Sequence, residues 1–290
     1  MVRKTAGYRL SDTGHMQKSY SDFQVVLVTG GTSGLGLEIA RLFLQRGYYV
    51  VATGRQSIDF PEYEGRFRLY RVDFSDFQQT TEIAEKICDN HNIDIIINNA
   101  GILSPPFFMP TKDGFEYTLQ VNFLSHLLLN EIIIRRFGNT RTLSFVTITS
   151  MVHKLGKLNS VLSREASNYN PLRAYSDSKL LLALMCRQMA EKYRNIGLKC
   201  FSVDPGIFSS GIFRMQNLFF RFLYTIAAPF MRKPSSVAAV LYELLNETEY
   251  SNGVVYDIRK KIKPIRKINT ISFEDFMEKC YRIVISYIGF

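Results

Sequence analysis

The sequence predicts an α/β fold, a single doubly wound domain around a central parallel sheet of about seven strands. Three observations lead there. Short β-branched runs alternate along the chain with longer segments whose apolar residues recur at helical spacing, the pattern of strand–helix–strand units. The first of these units breaks at a glycine cluster between strand and helix, the order that forms a phosphate cradle. The 290 residues, 46% hydrophobic and 21% charged, fit one sizeable globular domain and not a disordered chain.

In the first unit, the strand Val25-Val26-Leu27-Val28 stops at Thr29-Gly30-Gly31-Thr32-Ser33-Gly34. The chain resumes as a helix, Leu35-Gly36-Leu37-Glu38-Ile39-Ala40-Arg41-Leu42-Phe43-Leu44. Glycines admit backbone angles that other residues avoid, and the helix start offers unpaired N–H groups to a pyrophosphate. Gly30, Thr32, Ser33, Gly34, Leu35 and Gly36 are therefore candidate cofactor contacts. Their spacing, Thr-Gly-x-x-x-Gly-x-Gly, resembles the nucleotide loop of the short-chain dehydrogenases/reductases, a family with a Rossmann-type fold and nicotinamide cofactors.

The second strand, residues 48–53, ends at Gly54-Arg55. An acidic residue near this strand end commonly binds the ribose hydroxyls of NAD. Here Arg55 can instead pair with a 2′-phosphate, so NADP is favoured, with NAD left open. The third strand, 66–72, precedes Asp73, which the resemblance places at the adenine amino group. Ser75 and Asp76 are caps for a helix running to about Asn90. A fourth strand, 93–97, ends in Asn98-Asn99-Ala100-Gly101. The family's matching signature makes Asn99, Ala100 and Gly101 a floor beside the adenosine.

A long helical region is expected from Lys112 to Phe137. Asp113-Gly114-Phe115-Glu116, Val121-Asn122 and His126-Leu127-Leu128-Leu129 narrow the likeness to the retinol-dehydrogenase-like branch. The resemblance gives Asn122 the role of holding an active-site water; Ser125 stands where that branch usually has Gly. Residues 142–148 form the fifth strand, ending in Thr149-Ser150. Ser150 matches the catalytic serine, and His153 reads as a local loop residue. Tyr175-Ser176-Asp177-Ser178-Lys179 follows, and i, i+4 spacing puts the phenol and the ammonium on one helix face. The sixth strand, 198–203, leads to Asp204-Pro205-Gly206. Pro205 and Gly206 match the loop over the nicotinamide, and Ser209 or Ser210 the hydroxyl near its carboxamide. Asp204 replaces a more usual His or Asn. The Phe-rich segment 207–231 is the expected lid, Pro234 starts a helix, 253–256 is a seventh strand and 273–287 a terminal helix. The expected organisation is thus an extension over 1–23, the enzyme domain over 24–257, and a basic extension with a helix over 258–290.

Hydride transfer between nicotinamide and an alcohol or carbonyl requires a matching proton transfer. A free phenol titrates near pH 10, too high for efficient work at neutrality. Lys179 is expected to stabilise the Tyr175 phenolate; a fall of about three pKa units corresponds to about 4 kcal/mol. Asn122, Ser150, Tyr175 and Lys179 form the catalytic set, with Tyr175 and Lys179 also touching the cofactor. A lipophilic substrate, of retinoid, steroid or fatty-aldehyde type, is implied by the branch and by the Phe-rich lid. Two other readings share parts of the pattern: a dinucleotide sensor or scaffold without turnover, and a sugar-nucleotide epimerase or dehydratase.

The net charge of +10 falls to +4 without the six positives Arg259, Lys260, Lys261, Lys263, Arg266 and Lys267. No nucleic-acid module accompanies them. They form either a solvated basic loop or a peripheral contact with an anionic membrane. The four cysteines and four histidines are scattered, arguing against a metal site and for buried thiols in a reducing compartment. Residues 1–23 lack the apolar core of a signal peptide, and 212–231 is interrupted by Arg214 and Arg221. A cytoplasmic protein that is not secreted is expected, with homo-oligomerisation left open.

Overall fold

In the computed structural model the described residues are 8–10, 16–18, 23–159, 161–206, 233–247, 251–266 and 268–288. Ser209, Ser210 and the expected lid lie outside them. A short antiparallel hairpin, β1 (Tyr8–Leu10) with β2 (Met16–Lys18), precedes the main sheet. The main sheet then forms from β3 (Val25–Val28), β4 (Tyr49–Gly54), β5 (Phe67–Arg71), β6 (Ile95–Asn98), β7 (Ser144–Ile148), β8 (Lys199–Asp204), β9 (Val255–Asp257) and β10 (Ile262–Lys263). Its order is β10-β9-β8-β7-β6-β3-β4-β5. The expected parallel strands all pair in parallel, and β10 adds an eighth, antiparallel to β9. Strands buried on both faces read as continuous apolar runs, which is why β3 and β6 were legible.

Strand order reverses between β3 and β6, leaving a crevice beyond their carboxyl ends where such sheets hold ligands. Helices cover both faces. The helices α1 (Gly34–Gln45) and α6 (Pro234–Asn246) close one core, in which Ile39, Phe43 and Leu241 pack on Val26, Val50 and Phe201. On the other face lie α2 (Phe77–Asn90), α3 (Tyr117–Leu119), α4 (Ser125–Phe137), α5 (Pro171–Lys192) and α7 (Thr270–Ile285). The terminal helix α7 belongs to this second core, burying Met277, Cys280 and Val284.

Helix begins at Tyr117 rather than at Lys112. Gly114 adopts φ +85°, and Glu116 accepts hydrogen bonds from the Thr118 and Leu119 amides, so the cap sits there. Between α3 and α4, residues Gln120–Leu124 form one π-helical turn. Such turns shift a helix face by one residue and concentrate at functional sites. Asn122 is on it.

Candidate active site

The turn after β3 is shaped for a bulky anion. Gly30 has φ +64°, and a Cβ on Gly36 would lie 2.2 Å from the Gly30 carbonyl oxygen and 2.4 Å from Asn99 Nδ2. Ser33 precedes α1 in extended conformation without a side-chain cap, and no acidic residue occupies the first turn. The amides there are left for an exogenous acceptor, aided by the helix dipole. A dinucleotide pyrophosphate fits this cradle. Replacing Gly36 by Ala should therefore displace the turn or the Asn99 amide and weaken dinucleotide binding by about tenfold or more. Fluorescence titration with reduced dinucleotide measures it, and unchanged affinity would remove the turn from the site.

At the end of β4, a Cβ on Gly54 would meet the Thr32 side chain at 2.4 Å and 2.5 Å. An acidic side chain at this position would collide with the turn, and Arg55 beside it is exposed. Asp73 follows β5, with Oδ1 accepting bonds from the Ser75 amide and hydroxyl. Asn99 Nδ2 donates to the Thr29 carbonyl at 2.9 Å, joining the end of β6 to the turn. Gly101 is the point where a Cβ would press on Asn122 Oδ1 (3.3 Å) and Lys179 Nζ (3.6 Å).

The four expected catalytic residues converge beyond the ends of β6 and β7. Asn170 accepts a bond from the Arg173 amide and Pro171 occupies the first turn of α5, fixing the start of the helix that carries Tyr175 and Lys179. Tyr175 is half-buried, with the Ser150 side chain close enough to favour its ionised form. Lys179 is buried and donates to the Ile148 carbonyl at 3.1 Å, with Nζ 5.8 Å from the Tyr175 ring centre. Thr149, just before the expected catalytic serine, donates to the Lys179 carbonyl at 2.8 Å. His153 lies not in a loop but in a 3₁₀ turn, Met151–Leu155, fully buried, with its Nδ1 2.6 Å from the Ser150 carbonyl oxygen.

Burial pushes the Tyr175 phenol up to about 12, opposed by the Ser150 side chain and reinforced by the Asp204 carboxylate. The Lys179 ammonium donates to the Ile148 carbonyl, with Nζ 5.8 Å from the Tyr175 ring centre. Burial brings Lys179 itself down to about 8. Asp204 also accepts the Gly206 amide at 3.0 Å, shaping the turn after Pro205 in which Gly206 has φ +67°.

The side chain of Asn122 is committed to the protein. Its Oδ1 accepts from the Ile102 amide at 2.8 Å, and Nδ2 donates to the Ile102 carbonyl and to Ser178 Oγ, both at 3.0 Å. Ser178 in turn donates to the Tyr175 carbonyl, so the π turn and the catalytic helix are tied together. The Ser125 hydroxyl donates to the Phe74 carbonyl at 2.6 Å, which accounts for the departure from Gly.

Sequence reasoning passed over Thr29, Ser178 and a buried ion group. Arg164 lies between Asp177, at 2.5 Å, and Glu116, at 3.8 Å, while Arg173 reaches Asp177 at 3.1 Å. Through these contacts the long segment between Ser150 and Tyr175 is anchored to the catalytic helix and to the cap of α3. Asp177 stood inside the motif already singled out; Arg164 carried no signal of its own.

Residues 24–218 match the family model described as short chain dehydrogenase. Retinol dehydrogenase 12 of Bos taurus is 30% identical over 219 residues, covering 72% of this chain and 69% of that protein. Retinol dehydrogenase 11 of Homo sapiens is 28% identical over 225 residues, covering 74% and 70%. Among solved structures, ElxO with NADP bound superposes with a TM-score of 0.63 at 23% identity, over 81% of this chain and 97% of that one. A short chain dehydrogenase from Leptospira borgpetersenii with bound NAD+ gives 0.63 at 23% identity, over 84% and 95%.

Proposed function

The chain belongs to the short-chain dehydrogenase family, in its retinol-dehydrogenase-like branch, and from that we propose an NADP-favouring oxidoreductase acting on a lipophilic alcohol or carbonyl. The observation that carries the chemistry is the convergence of Ser150, Tyr175 and Lys179 beyond the strand ends, beside the turn of Gly30 to Gly36. A bound nicotinamide supplies the hydride donor or acceptor. Tyr175 takes the hydroxyl proton in oxidation and returns it in reduction. Ser150 donates to the same substrate oxygen, and Lys179 holds positive charge behind the phenol. A sensor without turnover would have no need of this assembled set.

Preference for the phosphorylated cofactor is supported by Gly54, which cannot grow a carboxylate without displacing Thr32, and by the exposed Arg55 next to it. Arg55→Ala is expected to weaken NADPH binding about tenfold and to leave NADH binding nearly unchanged. Parallel titrations with both cofactors check it; equal affinity of the unaltered protein for the two would overturn the preference. A lipophilic substrate rests on the branch and on the Phe-rich composition of 207–231. Turnover on a panel of retinoids, steroids, fatty aldehydes and small polar carbonyls tests it, and activity confined to the polar compounds would reject it.

The basic run favours a solvated loop over membrane attachment. Lys260 pairs with Glu243 and Glu247, Lys263 pairs with Asp257, and Arg266 donates to the Gly156 carbonyl. Two of the six cations, Lys260 and Lys263, are thus paired with carboxylates, and Lys267 lies outside the described residues. Among the described residues no helix is long and apolar enough to cross a membrane.

A further inference from the structure

His126 is fully buried, and both ring nitrogens are engaged at sites the catalytic set does not include. Nδ1 lies 3.0 Å from the Asn122 carbonyl oxygen and Nε2 3.0 Å from Thr29 Oγ1. The Phe74 ring packs edge-on against it, with ring centres 5.1 Å apart. Thr29 immediately precedes the glycine turn. Its hydroxyl oxygen accepts the amides of Asn99 and Ala100, both at 2.9 Å, on the adenosine floor. One imidazole thus touches the segment after β3 and the π turn of Asn122, and reaches the segment after β6 through the Thr29 hydroxyl.

Only one arrangement of protons satisfies these atoms. A carbonyl has no proton to give, so Nδ1 carries the hydrogen and donates to Asn122. The Thr29 hydroxyl has a single proton and two acceptors in reach, His126 Nε2 and the Ile97 carbonyl at 3.3 Å. That carbonyl already receives the Thr29 and Asn99 amides, both at 3.0 Å. The hydroxyl proton therefore goes to Nε2, which must be bare. The ring is neutral, in keeping with burial that brings it down to about 3 and with the nearby Lys179 charge.

We infer that His126 is a positioning residue: as the neutral Nδ1–H tautomer it locks the dinucleotide turn, through Thr29, to the helix turn that presents Asn122. The consequence for cofactor and turnover rests on the function proposed above, whereas the tautomer does not. Mutual satisfaction of buried partners makes the link stiff, since breaking either end strands a polar atom away from water.

The test has a spectroscopic arm and a kinetic arm. Imidazole nitrogen NMR on the unaltered protein, with the signal assigned by its loss in His126→Asn, should show Nδ1 protonated and Nε2 bare from about pH 5 to about pH 8. An Nε2–H tautomer or a charged ring would overturn the inference whatever the variants' affinities. In His126→Asn the amide nitrogen replaces Nδ1 and nothing reaches Thr29. NADPH affinity should fall about tenfold while kcat changes less than about threefold. His126→Phe removes both ends and should lower kcat about tenfold as well. Thr29→Val should weaken binding in the unaltered background but add little to His126→Asn, because the shared bond is already gone. Normal affinity and kcat in a folded His126→Phe protein, with only a lower melting temperature, would reduce the residue to core packing and overturn the inference. If the unaltered protein binds neither dinucleotide, the proposed function fails, and the NMR result still decides the tautomer.

Discussion

Tyr175→Phe should abolish hydride transfer, lowering kcat by about 10²–10⁴-fold, and leave NADPH affinity within about threefold. Phenylalanine fills the same half-buried space and removes only the hydroxyl. Among the described residues the neighbouring titratable side chains are engaged elsewhere: Lys179 with the Ile148 carbonyl, His153 with the Ser150 carbonyl, and Asp204 with the Gly206 amide. Rates followed by nicotinamide absorbance, alongside a fluorescence titration, separate chemistry from binding. Near-normal turnover in a folded variant would reject Tyr175 as the acid–base group. Loss of affinity equal to the loss of rate would move its role to cofactor binding.

The raised phenol has a bearing on direction. With burial and Asp204 pushing Tyr175 up to about 12, the protein alone favours the protonated form, which suits donation to a carbonyl. Oxidation of an alcohol needs the phenolate, so that direction should gain rate as pH rises above neutrality.

Much of the architecture could be read before the structure, and the reasons differ by element. The strands β3, β4, β6, β7 and β8 are buried, and burial leaves an apolar run that no exposed segment mimics. The edge strand β10 is Ile262-Lys263 among charges and pairs only through the turn at Asp257, so it left no such trace. The π turn at Asn122 lies in a wholly buried stretch, where a one-residue change in hydrogen bonding does not disturb apolar spacing. Within the site, i, i+4 spacing fixed the shared face of Tyr175 and Lys179. It could not say that a flexible lysine would also find the Ile148 carbonyl, which becomes its neighbour only when β7 lies beside α5. His126 was quoted as part of a branch motif, yet its role depends on Thr29 and Ile97, distant in sequence and adjacent only once β3 and β6 pair.

Lys179→Met should cost hydride transfer about 10²-fold or more, and its effect on stability should change with pH. The ammonium is buried, and burial alone lowers it from 10.5 to about 8. Between these values the folded chain has released the proton that the unfolded chain still binds. Unfolding then takes up a proton, so the stability of the unaltered protein rises with pH across this window. Below about pH 8 both states are charged, and the desolvated ammonium is a standing cost of about 3 kcal/mol. Methionine carries no charge at any pH and keeps most of the side-chain volume, at the expense of the bond to Ile148. The stability of the unaltered protein relative to the variant should therefore grow by about 3 kcal/mol from pH 7 to pH 10.5. Denaturant unfolding of both proteins at the two pH values, without dinucleotide, measures that change; contributions from all other titrating groups cancel in the comparison. A difference that stays flat would mean Lys179 titrates as an exposed lysine does, and the positive charge assigned to the floor of the site would not be confined there.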